Sequence, residues 1–133
     1  MMDKIFTTDH VNTALNNCLK LSVYSPLAMM LGMPGETDET ARETGAFLGE
    51  RSALLGTHPE VAGYDLFYAK AFPGTPLYEY GQLTGVFGKT IEEEEQYLKN
   101  ISNESVYKRY YVNLTGAPAK DVTFWDWLVK LEA

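Results

Sequence analysis

Leu27-Ala28-Met29-Met30-Leu31-Gly32-Met33-Pro34-Gly35-Glu36-Thr37 is the stretch on which the reading of this chain turns. Pro26 cannot donate to a sheet ladder, so a strand begins after it. The apolar run from Leu27 to Leu31 shows no polar alternation, which predicts a strand buried on both faces, as in a parallel sheet covered by helices. Gly32, Pro34 and Gly35 then mark a tight, shaped loop, and Thr37 or Asp38 caps the helix that follows. That helix is predicted from Asp38 to Leu55, with Ala41, Phe47, Leu48, Leu54 and Leu55 as its apolar positions. Gly45 and Gly49 each weaken it by about 1 kcal/mol relative to alanine, and Gly56 ends it.

The same order of elements recurs downstream. Gly63 opens a second aromatic-rich run, Tyr64 to Ala71, whose composition and length favour a strand. It too ends in a Gly/Pro loop, Phe72-Pro73-Gly74-Thr75-Pro76, followed by Leu77-Tyr78-Glu79-Tyr80. Between these units, Thr57-His58-Pro59 reads as loop, with His58 exposed. Upstream, Thr8 and Asp9 are N-cap candidates for a helix running to about Lys20. Val11, Ala14, Leu15, Cys18 and Leu19 form its apolar stripe, with Cys18 read as a small buried hydrophobe. Helix, strand, helix, strand is an alternation that predicts an α/β fold with a short parallel sheet.

After Gly88 the pattern becomes helical. Thr90 and Glu93 form a capping box opening a helix from Ile91 to Ile101. The acidic run Glu92 to Glu95 falls in its first turn, where negative charge suits the helix dipole. Consecutive helical carboxylates point in different directions, which disfavours a metal site there. A short helix is predicted over Glu104 to Val112, and a last one over Thr123 to Glu132 with Phe124, Trp125, Leu128 and Leu131 inward.

Composition narrows the function classes. A chain of 133 residues fits one compact domain. Its formal net charge of −7 argues against sequence-independent nucleic-acid binding and against an anionic membrane surface. Cys18 is the sole cysteine, so an intrachain disulfide and any cysteine-rich zinc or iron–sulfur site are excluded. His10 and His58 have no metal-ligand spacing. There is no apolar run of membrane-spanning length and no basic-then-apolar signal pattern at the N-terminus, so a cytoplasmic protein is expected. No nucleophile–base arrangement or carboxylate pair stands out, and no catalytic residue or metal ligand is assigned.

Two segments carry a family resemblance. Met29-Met30-Leu31-Gly32-Met33-Pro34-Gly35-Glu36-Thr37 resembles the strand-to-helix segment of radical S-adenosylmethionine (SAM) proteins that reads hydrophobic, Gly, x, Pro-Gly-Glu-Thr. About forty residues on, Ala71-Phe72-Pro73-Gly74-Thr75-Pro76-Leu77-Tyr78 resembles the Pro-Gly-Thr-Pro-Leu-Tyr loop of the same family. The likeness is greatest to the cobalamin-dependent branch, which Tyr111-Val112-Asn113-Leu114-Thr115 and the tryptophan-containing helix also suit more loosely. It covers residues 8 to 80 well and the rest faintly.

The resemblance implies the fifth and sixth strands of a partial (β/α)6 barrel: a half TIM-like barrel over residues 1–85, with a helical C-terminal extension over residues 86–133 packed on it. In that family a three-cysteine motif after the first strand holds a [4Fe–4S] cluster that cleaves SAM to a radical. That motif is absent here, and the resemblance puts the first four strands upstream of Met1. A fragment or truncated relative, inactive alone, is therefore expected. By resemblance, Met30, Gly32, Pro34, Gly35 and Glu36 border the adenine of SAM, and Phe72, Pro73, Gly74 and Thr75 line the adjoining part of the pocket. Glu36 either orients its loop by accepting backbone N–H bonds or favours the helix N-terminus. Cobalamin would bind in a domain also upstream.

Plainer readings stand beside this one. Pro-Gly-Glu-Thr is a competent turn and cap in itself. A phosphate-cradling loop is disfavoured by Glu36 and Asp38, which repel anions. The alternative function is a non-catalytic module that keeps the barrel half and docks on a missing N-terminal half or on itself, through uncovered aromatic surface or the open strand edge at Met29 to Leu31.

Overall fold

In the computed structural model, which describes residues 5–55, 63–103 and 112–133, Thr7 rather than Thr8 or Asp9 caps the first helix, α1 (Thr8–Lys20). His10 shifts the cap: its Nδ1 accepts from the Thr7 N–H at 3.2 Å while its own N–H donates to Thr7 Oγ1 at 3.4 Å. Of the expected apolar stripe only Leu15 is buried; Val11 and Cys18 are half-buried, and Ala14 and Leu19 are exposed.

Strand β1 (Leu27–Leu31) leads into α2 (Asp38–Leu55), and β2 (Tyr64–Tyr68) returns parallel to β1. The register pairs Leu27 with Tyr64 and Leu31 with Tyr68. Three further helices follow: α3 (Pro76–Thr84), α4 (Ile91–Ser102) and α5 (Ala119–Glu132). The described residues thus form an α/β unit with a two-stranded parallel sheet. None of their helices is long and apolar enough to cross a membrane. The expected loop at residues 57–59 and nearly all of the helix expected over residues 104–112 lie outside the described residues.

The strands are not buried on both faces. Leu27, Met29, Leu31, Tyr64, Leu66 and Tyr68 pack into a cluster with Ala41 and Leu48 of α2 and Val122, Trp125, Leu128 and Val129 of α5. Ala28, Met30, Asp65 and Phe67 are exposed on the opposite face. Both covering helices lie on one side, so residues of one chemical type along β1 divide by pleat. β2 also ends sooner than its apolar run, at Tyr68 rather than Ala71.

Helices α2 and α5 approach closely through Gly45 and Gly49. A Cβ on Gly45 would lie 2.6 Å from the Val129 carbonyl oxygen, and one on Gly49 2.8 Å from that of Ala133. Trp125 Nε1 donates to Asp38, Arg42 pairs with Glu132, and the Tyr68 hydroxyl donates to the Val122 carbonyl at 2.9 Å, joining both helices and the sheet. On α5 the inward residues are Val122, Trp125, Leu128 and Val129, whereas the expected inward Phe124 and Leu131 face solvent. The helix begins at Ala119, earlier than Thr123, and its contact side follows where α2 lies, which the residue types of α5 alone do not specify.

A second buried cluster joins the end of β2 to α3 and α4: Ala69, Ala71, Tyr78, Phe87, Tyr97, Ile101 and Leu114. Phe87 stacks on Tyr97 at 4.1 Å and on Tyr78 at 5.0 Å between ring centroids. The expected capping box at α4 is present, with Thr90 and Glu93 in their reciprocal bonds.

Candidate functional site

Because β1 and β2 are parallel neighbours, the loops that leave them emerge from the same end of the sheet. The Ala69 N–H donates to the Leu31 carbonyl at 2.6 Å, continuing the ladder up to the start of both corners. Gly32, the first residue of the first corner, has φ +81°, and a Cβ there would meet the Tyr68 ring at 3.4 Å. Met33 packs against the cluster containing Ala69 and Ala71.

The first corner turns at Pro34-Gly35, with the Glu36 N–H donating to the Met33 carbonyl at 3.1 Å. Gly35 holds φ +85°, a left-handed conformation that residues with a Cβ rarely adopt. The Glu36 carboxylate folds back and accepts from the N–H groups of Gly32 and Met33, the second at 3.2 Å. Glu36 therefore orients its loop. Burial raises its pKa above the usual carboxylate value, and the two N–H donors partly offset that rise. Thr37 and Thr40 then cap α2 reciprocally: the Thr37 N–H donates to Thr40 Oγ1 at 2.9 Å, and the Thr40 N–H to Thr37 Oγ1 at 3.3 Å.

The second corner has matching parts. Gly74 holds φ +83°, and the Thr75 N–H donates to the Phe72 carbonyl at 3.1 Å. Thr75 Oγ1 donates to the same carbonyl at 2.7 Å and accepts from the Tyr78 N–H at 3.3 Å, capping α3. Ahead of the corner, the Tyr97 hydroxyl takes up both backbone groups of buried Ala71, accepting from its N–H and donating to its carbonyl, each at 2.9 Å. Beyond it, the Tyr78 hydroxyl donates to Glu94, whose same oxygen accepts from Gln82 Nε2 at 2.9 Å. The carboxylate partner, with burial, pushes the Tyr78 hydroxyl up to about 12.

All nine expected site residues thus belong to one sheet end or its open face. Gly32, Pro34, Gly35 and Glu36 build one corner, Phe72, Pro73, Gly74 and Thr75 the other, and Met30 lies on the open sheet face in register with Phe67. Met30 and Phe72 are 44% and 45% exposed, which leaves apolar side chain free for contact at this end. Among the described residues, no atom lies within 4 Å of where a Cβ on Gly35 or Gly74 would stand. Sequence reasoning missed Tyr97 and Glu94, whose role depends on tertiary contact. It also missed Lys70, half-buried two residues beyond β2, whose ammonium pKa is lowered by burial. A cation inside the apolar run from Tyr64 to Ala71 was the signal for the last of these.

The donor set decides which groups the family resemblance can bring here. Exposed apolar side chains beside glycine backbone suit an adenine ring. A [4Fe–4S] cluster does not fit: Cys18 is the sole cysteine of the chain and lies on α1. Among the described residues there is no group of three potential metal ligands. His10 is committed to the α1 cap. A cavity of about 510 Å³ lined by Gln82, Leu83, Phe87, Lys89, Ile91 and Glu94 lies between α3 and α4 and includes no residue of either corner.

Compared with known proteins, the chain matches no family model, no curated protein and no solved structure.

Proposed function

We propose that this chain is a half-barrel of radical SAM type that supplies the adenine side of the SAM pocket and leaves the iron–sulfur cluster to polypeptide outside these residues. One observation carries the reading: two Pro-Gly corners of the family's form leave adjacent parallel strands at the same end of the sheet. In (β/α) barrels ligands collect at that end, where strand-to-helix loops converge. Helices on one sheet face and an open opposite face also suit a barrel wall, since a barrel strand turns one side outward to helices and the other to the interior. The chain's own residues would bind and orient: Met30 and Phe72 as apolar contact, the corners as shaped backbone, Glu36 as the brace of the first corner. The radical chemistry would come from the cluster and SAM, not from a side chain here.

The test is a titration of the labelled protein with SAM, and separately with adenosine, followed by amide NMR. Both should shift the signals of Gly32–Glu36 and of Phe72–Thr75, because the contact is with the adenine end they share. Anaerobic iron–sulfur reconstitution should give no cluster absorbance. Shifts confined to the α3–α4 cavity, no shifts at millimolar ligand, or one cluster per chain would each sink the reading.

A second reading, a non-catalytic docking module, is favoured by the exposure of Met30 and Phe67 on the open sheet face and of Phe72 in the second corner. It requires association without any response of the corners to SAM.

A further inference from the structure

The second corner is held from both ends by one helix. Tyr97 and Glu94 lie three residues apart on α4, and on a helix such residues share a face. From that face Tyr97 takes both backbone groups of Ala71, immediately before Phe72, and Glu94 accepts from Tyr78, three residues after the Thr75 cap. Tyr97 and Ala71 are buried, at 3% and 0% exposure, so water does not compete for these bonds. Phe87 stacks on both tyrosine rings, which also meet each other at 6.5 Å between centroids, so the three rings form one packed cluster. The Tyr97 hydroxyl satisfies Ala71 in place of a neighbouring strand, at the point where the β1–β2 ladder has run out. Among the described residues, the buried cluster around this arrangement includes none from α2 or α5, which pack in the other one.

We infer that α4 is the platform that sets the second corner, with Tyr97 and Glu94 as positioning residues for the adenine-side pocket; the ligand part of this inference rests on the function proposed above. Neither side chain touches the ligand. They act by fixing where the corner begins and where α3 leaves it, so that Phe72, Gly74 and Thr75 stand ready before a ligand arrives.

The experiment compares the 133-residue parent chain with Tyr97→Phe, Glu94→Ala, Glu94→Gln and Leu128→Ala. Leu128 belongs to the other cluster, and its truncation serves as a control that lowers stability without reaching the corner. Two quantities are read: hydrogen exchange at the Gly74 and Thr75 amides, and adenosine affinity from amide shifts. Tyr97→Phe keeps the ring and loses two hydrogen bonds, and should speed exchange at both amides and weaken adenosine about tenfold. Glu94→Ala should do likewise to a smaller degree, while Glu94→Gln, which keeps an acceptor for Tyr78, should behave as the parent does. Leu128→Ala should lower the urea midpoint and leave both corner readouts unchanged. Equal effects of Tyr97→Phe and Leu128→Ala on the corner would overturn the inference, as would corner amides indifferent to Tyr97→Phe. If that variant does not fold, failure of Glu94→Gln to restore what Glu94→Ala removes overturns it instead. Should the parent protein bind no adenosine, the proposed function fails while the exchange rates still decide whether α4 sets the corner.

Discussion

Glu36 combines two opposed effects in one side chain. Its carboxylate accepts two backbone N–H groups of the corner it follows, which favours the charged form, yet burial disfavours that form more and the pKa rises above 4.5. A carboxyl group raised on folding contributes stability that is full below its unfolded value and is lost as pH climbs through the folded one. The corner should therefore weaken as pH rises from about 4.5 past the raised value, opposite to the usual behaviour of a salt-bridged carboxylate. Glu36→Gln keeps an oxygen for the Gly32 and Met33 N–H groups and removes the charge. Urea unfolding between pH 4 and 7 should show this variant losing the pH-dependent part of the decline. Glu36→Ala should cost about 1–3 kcal/mol, because two backbone donors lose their acceptor. Equal pH profiles for parent and Glu36→Gln would mean that burial of this carboxyl is not what governs the corner.

At the scale of elements, α2 shows how a locally poor residue is required by its neighbour. By helix propensity alone, Gly45→Ala should stabilise α2 by about 1 kcal/mol. The new Cβ would lie 2.6 Å from the Val129 carbonyl oxygen and 2.6 Å from Glu132 Cβ, so α5 would have to move away. Overpacking of this kind costs about 1–3 kcal/mol, and the net change should be destabilising, read as a lower urea midpoint. A stabilised variant would show that α2 and α5 separate without cost. The same contrast explains what the chain discloses of its fold. The bounds of β1 and α2 were legible because Pro26, Gly32, Thr37 and Gly56 are local punctuation. The end of β2 was not, since Ala71 is satisfied by a tyrosine on a distant helix. Helix α3 is not among the elements expected from the sequence, although Thr75 at its cap, Pro76 at its first position and Gly85 in the left-handed conformation at its end are local signals. In the candidate site, the corners could be read from their own residues. The grip of Tyr97 and Glu94 on one of them could not, because nothing near Ala71 in sequence points to α4.

For the whole molecule the informative feature is the sheet face that the helices leave bare. Met30 and Phe67 are 44% and 37% exposed there, opposite the side packed on α2 and α5. The Leu27 N–H donates to the Gly63 carbonyl at 2.7 Å and the Leu31 carbonyl accepts from Ala69. With β1 facing β2 through these residues, a parallel ladder turns the backbone groups of Ala28 and Met30 toward its outer edge. Apolar surface beside a strand edge of this kind favours pairing with another chain. Against it stands the net charge of −7, which makes two copies repel. The two effects respond oppositely to salt. If the sheet face drives association, sedimentation velocity should show it growing with protein concentration and strengthening between 50 mM and 500 mM salt as the repulsion is screened. Met30→Glu and Phe67→Glu place charge on the bare face, away from both clusters, and each should weaken association at least tenfold while leaving the unfolding free energy from urea titration within about 0.5 kcal/mol of the parent. An association that fades with salt, or that survives both substitutions, would assign the contact to surface charges elsewhere. A parent protein monomeric at millimolar concentration would mean that a face of this size is tolerated in water without a partner.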